Sequence, residues 1–243
     1  MSKYKHILLD LDETLLDFHA SEKSCFIALM KSLEITNEQE LYEFFSPINK
    51  SLWKLLERKL IDKPTLFQTR FSKLLDHAAS KEYITNPSGI PSVMEVNNMY
   101  FKLMSQSGIP IEGAHDFLHR LQSVDGIDLS AITNGNTITA KGRFASSNLN
   151  SRIKRLYISD EVGFDKPDIR FFDYVMKDIG DSNPDNYLVV GDSLTSDIQG
   201  ANNCGMPCCL FSRTGILPDG YELLRIDQTA LDYESIYNIV TNA

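Results

Sequence analysis

The stretch HILLDLDETLLDF, residues 6–18, decides the fold. Its apolar run, Ile7-Leu8-Leu9, passes directly into Asp10 and Asp12. A short apolar run of this kind suits a strand buried on both faces. Two carboxylates at its end are costly, because buried charge must be paired or bound to metal and neighbouring carboxylates repel. Side chains alternate along an extended segment, so Asp10 and Asp12 face the same side. Whatever offsets their charge has to lie on that side.

Outward from this stretch, the hydrophobic period changes. From about residue 17 to 110 the apolar positions fall at helical spacings, and no strand pattern appears. Helices are expected over 38–45, 47–60, 64–79 and 91–107, with Pro47, Pro64 and Pro91 suited to first turns. After residue 110 strands and helices alternate. Strands are expected near 127–133, 155–159, 186–193 and 207–212, with helices between them and a closing helix over 231–240. This order predicts an α/β fold: a doubly wound parallel sheet covered on both faces, interrupted after its first strand by an all-helical insertion. The expected division is a core formed by 1–15 and 97–243, with 16–96 as the inserted domain.

The composition narrows the function. The chain has 243 residues, 42% hydrophobic and 23% charged, with a net charge of -9. An acidic chain of this kind is a poor partner for a nucleic-acid polymer or an anionic membrane surface. Ile7-Leu8-Leu9 is too short for a signal peptide's apolar region, and no apolar stretch approaches a membrane span. Cys25, Cys204, Cys208 and Cys209 form no CxxC pair and are expected as reduced thiols of a cytoplasmic protein.

In an open parallel sheet, ligands bind beyond the carboxyl ends of the strands. Four expected strands end, or are followed shortly, by polar clusters: DLDET (10–14), TNG (133–135), DKPD (165–168) and GDSLTSD (191–197). Asp10, Asp12 and Asp192 together make a hard oxygen cluster suited to Mg²⁺. Thr133 offers a hydroxyl, the Asn134 and Gly135 amides offer donors at a helix start, and Lys166 brings the positive charge an incoming phosphate needs.

This ordered set resembles the haloacid dehalogenase-like (HAD) phosphohydrolases, in the subgroup with a helical cap after the first strand. The resemblance implies a Rossmann-like core, Mg²⁺ and an aspartyl-phosphate intermediate on Asp10. Asp12 would protonate the leaving oxygen and then activate water. Asp10 and Asp192 would hold the metal by side chain and Asp12 by its carbonyl, with Asp197 behind them or acting through water. Thr133, Asn134 and Lys166 would hold the phosphoryl group. INKSLWKLLERKLI (48–61) and YISDEVGFDKPDIRFFDYVM (157–176) further resemble the bacterial pyrimidine 5'-nucleotidase branch. The implied partner is a small phosphorylated metabolite, with the oligomeric state left open. Trp53, Phe18 and Asn49 are read first as core residues rather than base contacts. A phosphatase of phosphoglycolate or a sugar phosphate, and a β-phosphoglucomutase-like transferase, share the same core residues. A phospho-accepting receiver domain shares the acidic site and the Lys-Pro, but its accepting Asp follows a middle strand and it has no cap.

Overall fold

The computed structural model describes residues 2–216 and 219–242. Six parallel strands form one sheet in the order β3-β2-β1-β4-β5-β6. They are β1 (His6–Asp10), β2 (Asp128–Thr133), β3 (Arg155–Ile158), β4 (Tyr187–Gly191), β5 (Cys208–Phe211) and β6 (Gln228–Ala230). The chain winds outward from β1 through β2 to β3, then restarts beside β1 with β4. The strand order therefore reverses between β1 and β4, which is where doubly wound sheets place their ligands.

Alternation along β1 explains how both faces are buried. Ile7 and Leu9 join a core with Leu129, Ala131, Leu188 and Val190, closed by the helices α5 (Ala114–Gln122) and α10 (Tyr233–Thr241). Leu8 points to the other face, with Ile132 and Val189, under α8 (Ile169–Ile179) and α9 (Gln199–Cys204). Strand β6 was not anticipated. It has three residues, two of them exposed, at the sheet edge, so neither apolar alternation nor length marks it.

The chain divides into two compact units, residues 1–18 with 108–243, and residues 19–107. The expected boundary after residue 96 falls inside the helix α4 (Val93–Ser105). The second unit also holds most of α1 (Phe18–Ser32), together with α2 (Glu38–Glu57) and α3 (Lys63–Ser80). One correction concerns α2. Two helices separated at Pro47 were expected, but one helix runs through that proline. Its buried positions Leu41, Phe45, Asn49 and Leu52 continue one face across the proline, and that packing outweighs the lost main-chain hydrogen bond.

The second unit has an aromatic core, with Phe45 4.9 Å from Phe26 and 5.3 Å from Phe71. Trp53 packs with Leu52, Leu66 and Phe67. Inside the same unit lies a buried polar chain. Asn49 Nδ2 donates to Glu22 Oε1 at 2.6 Å, and Asn49 Oδ1 accepts from Arg70 Nη1 at 3.3 Å. Arg70 Nη2 donates to Asn97 Oδ1 at 2.6 Å. Cys25, Cys204, Cys208 and Cys209 are free. No helix among the described residues is long and apolar enough to cross a membrane.

Candidate active site

Asp10 is the last residue of β1 and is buried. Just beyond it the chain folds back on itself: the amides of Leu15 and Leu16 both donate to the Leu11 carbonyl, and Glu13 donates to Leu16 O at 2.8 Å. Glu13 takes a left-handed conformation, φ 60°, which a side-chain-bearing residue adopts at a cost of about 1 kcal/mol. Side-chain contacts help to hold this loop. Tyr233 Oη donates to Thr14 O at 2.8 Å, and Arg213 pairs with Glu13. Asp12 is thereby set beyond the strand end, with its side chain about a third exposed.

The second polar cluster follows β2. Thr133 ends the strand, and its Oγ1 accepts from the Gly135 amide at 3.1 Å. Asn134 is clamped at both ends of its side chain: Oδ1 accepts from Lys166 N and Nδ2 donates to Lys166 O, both at 2.8 Å. Asn134 was expected as a phosphate contact through its main-chain amide. Its side chain has a different task, fixing the backbone of the lysine. Asn136 then caps α6 (Thr137–Ser146), accepting from Ile138 N at 3.0 Å.

Lys166 is 1% exposed and stands at the centre. Its Nζ donates to Asp10 Oδ1 at 2.7 Å and to Asp197 Oδ1 at 2.6 Å. The π-helical turn Leu194–Ile198 after β4 delivers Asp197, whose Oδ2 accepts from Ser193 N at 3.2 Å. The approach is close. A Cβ on Gly191 would lie 2.1 Å from Asp197 Oδ2, so only glycine fits there. Asp10, Asp192 and Asp197 each offer one carboxylate oxygen, and these oxygens lie within 4.8 Å of one another.

The electrostatics follow from this crowding. Burial raises the Asp10 carboxyl well above its ordinary value; Lys166 works against that, while Asp197 and Asp12 add to it. Asp192 is raised too, first by burial and then by Asp10 and Asp197. Burial alone would lower the Lys166 ammonium, but Asp10 and Asp197 outweigh it and raise the lysine above its usual value. Lys166 is therefore a permanent cation here. The carboxylates Asp10, Asp12, Asp192 and Asp197 outnumber the cations that touch them, Lys166 and Arg143, by two. A divalent cation has the charge and the oxygen preference to close that gap.

Arg143 was not picked out by the sequence. It is a buried residue of α6, and its Nη1 donates to Asp12 Oδ1. A lone arginine in an amphipathic helix carries no motif, and its partner lies far away in the chain.

The model of the haloacid dehalogenase-like hydrolase family matches residues 4–205. The chain belongs to that family. It is an enzyme, a phosphoric monoester hydrolase. The chain is 37% identical over 203 residues to the pyrimidine 5'-nucleotidase PynA of Streptococcus pneumoniae (strain ATCC BAA-255 / R6), covering 84% of this chain and 81% of that protein. It is 27% identical over 207 residues to the pyrimidine 5'-nucleotidase YjjG of Escherichia coli (strain K12), covering 85% of each. Among solved structures, the HAD-hydrolase YfnB of Bacillus subtilis, bound to magnesium, superposes with a TM-score of 0.85 at 29% identity. That superposition covers 98% of this chain and 99% of YfnB. The six-stranded parallel sheet of this hydrolase, with helices on both faces, is the family's Rossmann-like core.

Proposed function

We propose that the protein is a Mg²⁺-dependent 5'-nucleotidase acting on pyrimidine nucleoside monophosphates through an aspartyl-phosphate. One observation carries the chemistry: a fully buried ammonium bridges Asp10 and Asp197 at the strand-order switch, beside Asp192. The likeness to the two pyrimidine 5'-nucleotidases supports the substrate class.

Asp10 is the nucleophile. Its free carboxylate oxygen forms a bond to phosphorus while the bond from phosphorus to the nucleoside oxygen breaks. Asp12 gives that oxygen its proton, and the nucleoside leaves. In the second step Asp12, now a carboxylate, takes a proton from water. The water oxygen bonds to phosphorus, the Asp10–phosphorus bond breaks, and Asp10 is regenerated. Splitting hydrolysis into two displacements replaces one difficult step with two easier ones. Lys166 and the Thr133 hydroxyl hold the phosphoryl oxygens, where charge develops. The side chains of Asp10 and Asp192 and the carbonyl of Asp12 would hold Mg²⁺, which when bound neutralises charge on the phosphoryl group. Asp197, with both its oxygens engaged by Lys166 and Ser193 N, fixes the lysine.

A panel of phosphate monoesters in Mg²⁺ tests this reading. UMP, dUMP and dTMP should be turned over best, and EDTA should stop the reaction until Mg²⁺ is returned. Preference for phosphoglycolate or hexose phosphates would overturn the nucleotidase reading. Transfer of the phosphoryl group between sugar hydroxyls would make the enzyme a mutase. Full activity in chelator would remove the metal.

A further inference from the structure

The site holds two cations, and they serve different carboxylates. Lys166 takes Asp10 and Asp197. Arg143 takes Asp12, the group that moves protons in the scheme above. Arg143 is 4% exposed, and its guanidinium lies 5.4 Å from the centroid of the Phe18 ring. It stands on α6, whose start is fixed by the Asn136 cap immediately after Thr133-Asn134-Gly135. The turn that carries the Thr133 hydroxyl therefore also anchors the helix carrying this guanidinium.

We propose that Arg143 is a positioning residue for Asp12: by occupying Oδ1 it fixes the carboxyl plane and leaves Oδ2 as the atom that gives and takes the proton. Oδ2 has no hydrogen-bond partner among the described residues. A planar guanidinium backed by an aromatic face holds a carboxylate in one orientation in a way a flexible ammonium does not. The inference rests on the aspartyl-phosphate reading. In the first step the Oδ2 proton moves to the leaving oxygen as the ester bond breaks. In the second, Oδ2 accepts a proton from water as the water oxygen bonds to phosphorus and Asp10 is released. Arg143 gives and takes no proton in either step; it acts through Asp12.

The two steps can be separated. p-Nitrophenolate leaves without a proton, so with p-nitrophenyl phosphate only dephosphorylation should depend on Asp12. Arg143→Met keeps the side-chain stem and removes the guanidinium. Its steady-state rate on p-nitrophenyl phosphate should fall about a hundredfold, the scale at which a catalytic group displaced by ~1 Å acts. The initial burst of p-nitrophenolate should survive. A hydroxylamine-labile phosphoenzyme should accumulate in this variant and not in the parent. With UMP, both steps should slow. Arg143→Lys, which keeps the charge without the rigid planar group, should lose about tenfold.

A burst and a steady-state rate that fall together would mark a general disturbance of the site and overturn the proposal. So would parental steady-state rates in a folded Arg143→Met protein. Should that protein not fold, Arg143→Lys decides, and a parental rate there overturns the proposal. A different result separates the two readings. If no acid-stable, hydroxylamine-labile label can be trapped even in a folded Asp12→Asn variant, the aspartyl-phosphate itself fails and this inference goes with it.

Discussion

Each compact unit buries a polar cluster, and the two are built in opposite ways. In the first unit Lys166 touches Asp10 and Asp197 directly, Asp192 lies beside them, and negative charge is in excess. In the second unit one carboxylate and one guanidinium meet through an amide. Glu22 also accepts from Tyr42 Oη at 3.1 Å and Ser46 Oγ at 3.2 Å, Asn49 bridges to Arg70, and Arg70 ends on Asn97. The rings of Phe67, Phe71, Tyr100 and Phe101 surround the Arg70 guanidinium at 5.1–5.3 Å. Burial lowers Arg70 to about 10, so it remains a cation at neutral pH. The second cluster is balanced within itself and can be permanent. The first is not, and its excess charge calls for a ligand. A buried network therefore points to chemistry when its charges do not cancel, not merely because it is buried.

The largest expected effect breaks the comparison at Asp10. Asp10→Asn keeps the shape and removes the proposed nucleophile. Turnover of UMP should fall on the order of 10⁴-fold or more, as loss of a reacting group does. The melting temperature should hold or rise, because the variant loses a carboxylate whose charged form is disfavoured by burial. Near-parental turnover would end the assignment of Asp10.

The same operation on the second unit should give the reverse pattern. Arg70→Met leaves Asn97 and the Glu22–Asn49 pair without their cation. Removing one partner from a buried charged network costs about 3–5 kcal/mol. Thermal melting should show that loss, while turnover of p-nitrophenyl phosphate per folded molecule stays within about twofold. Lost turnover with unchanged melting would mean that the Arg70 network engages substrate and is not a packing device.

The contrast also explains what could be anticipated from the sequence. Asp10, Thr133, Lys166 and Asp192 stand in local motifs at or near strand ends, and a parallel sheet gathers such ends on one edge. Short apolar runs placed five of the six strands, and missed β6 because an edge strand of three residues, two of them exposed, has no such run. What could not be anticipated depends on partners distant in the chain. Asn134 and Lys166 are 32 positions apart, and Arg143 and Asp12 are 131. Glu22, Asn49, Arg70 and Asn97 come from four different helices, where each alone looks like an ordinary polar helix position. Only the packing shows that they meet. Pro47 was misplaced for a related reason: local preference puts proline at a helix start, while a continuous buried face kept α2 whole.

The smallest predicted effect is the most discriminating test of the charge imbalance. Asp10 and Asp192 are raised in the folded protein above the ordinary carboxylate value of about 4. Between that value and the raised one, the folded state binds protons that the unfolded state has released. Stability in EDTA should therefore decline as pH rises from the ordinary carboxylate range toward the raised values, by at most roughly 1.4 kcal/mol per pH unit for each carboxyl that behaves so. Arg70 keeps its proton across that range and contributes no slope, so the decline belongs to the Asp10–Asp192 cluster and not to the Arg70 network. Saturating Mg²⁺ should bind the ionised carboxylates of the folded state, and its stabilisation should grow as the apo protein weakens. Asp10→Asn should flatten the slope in EDTA, whereas Arg70→Met should lower the whole curve and leave its slope alone. An apo protein whose stability instead rises with pH over this range would mean that Lys166 already satisfies the carboxylates. The excess negative charge that motivates a divalent cation would then not exist.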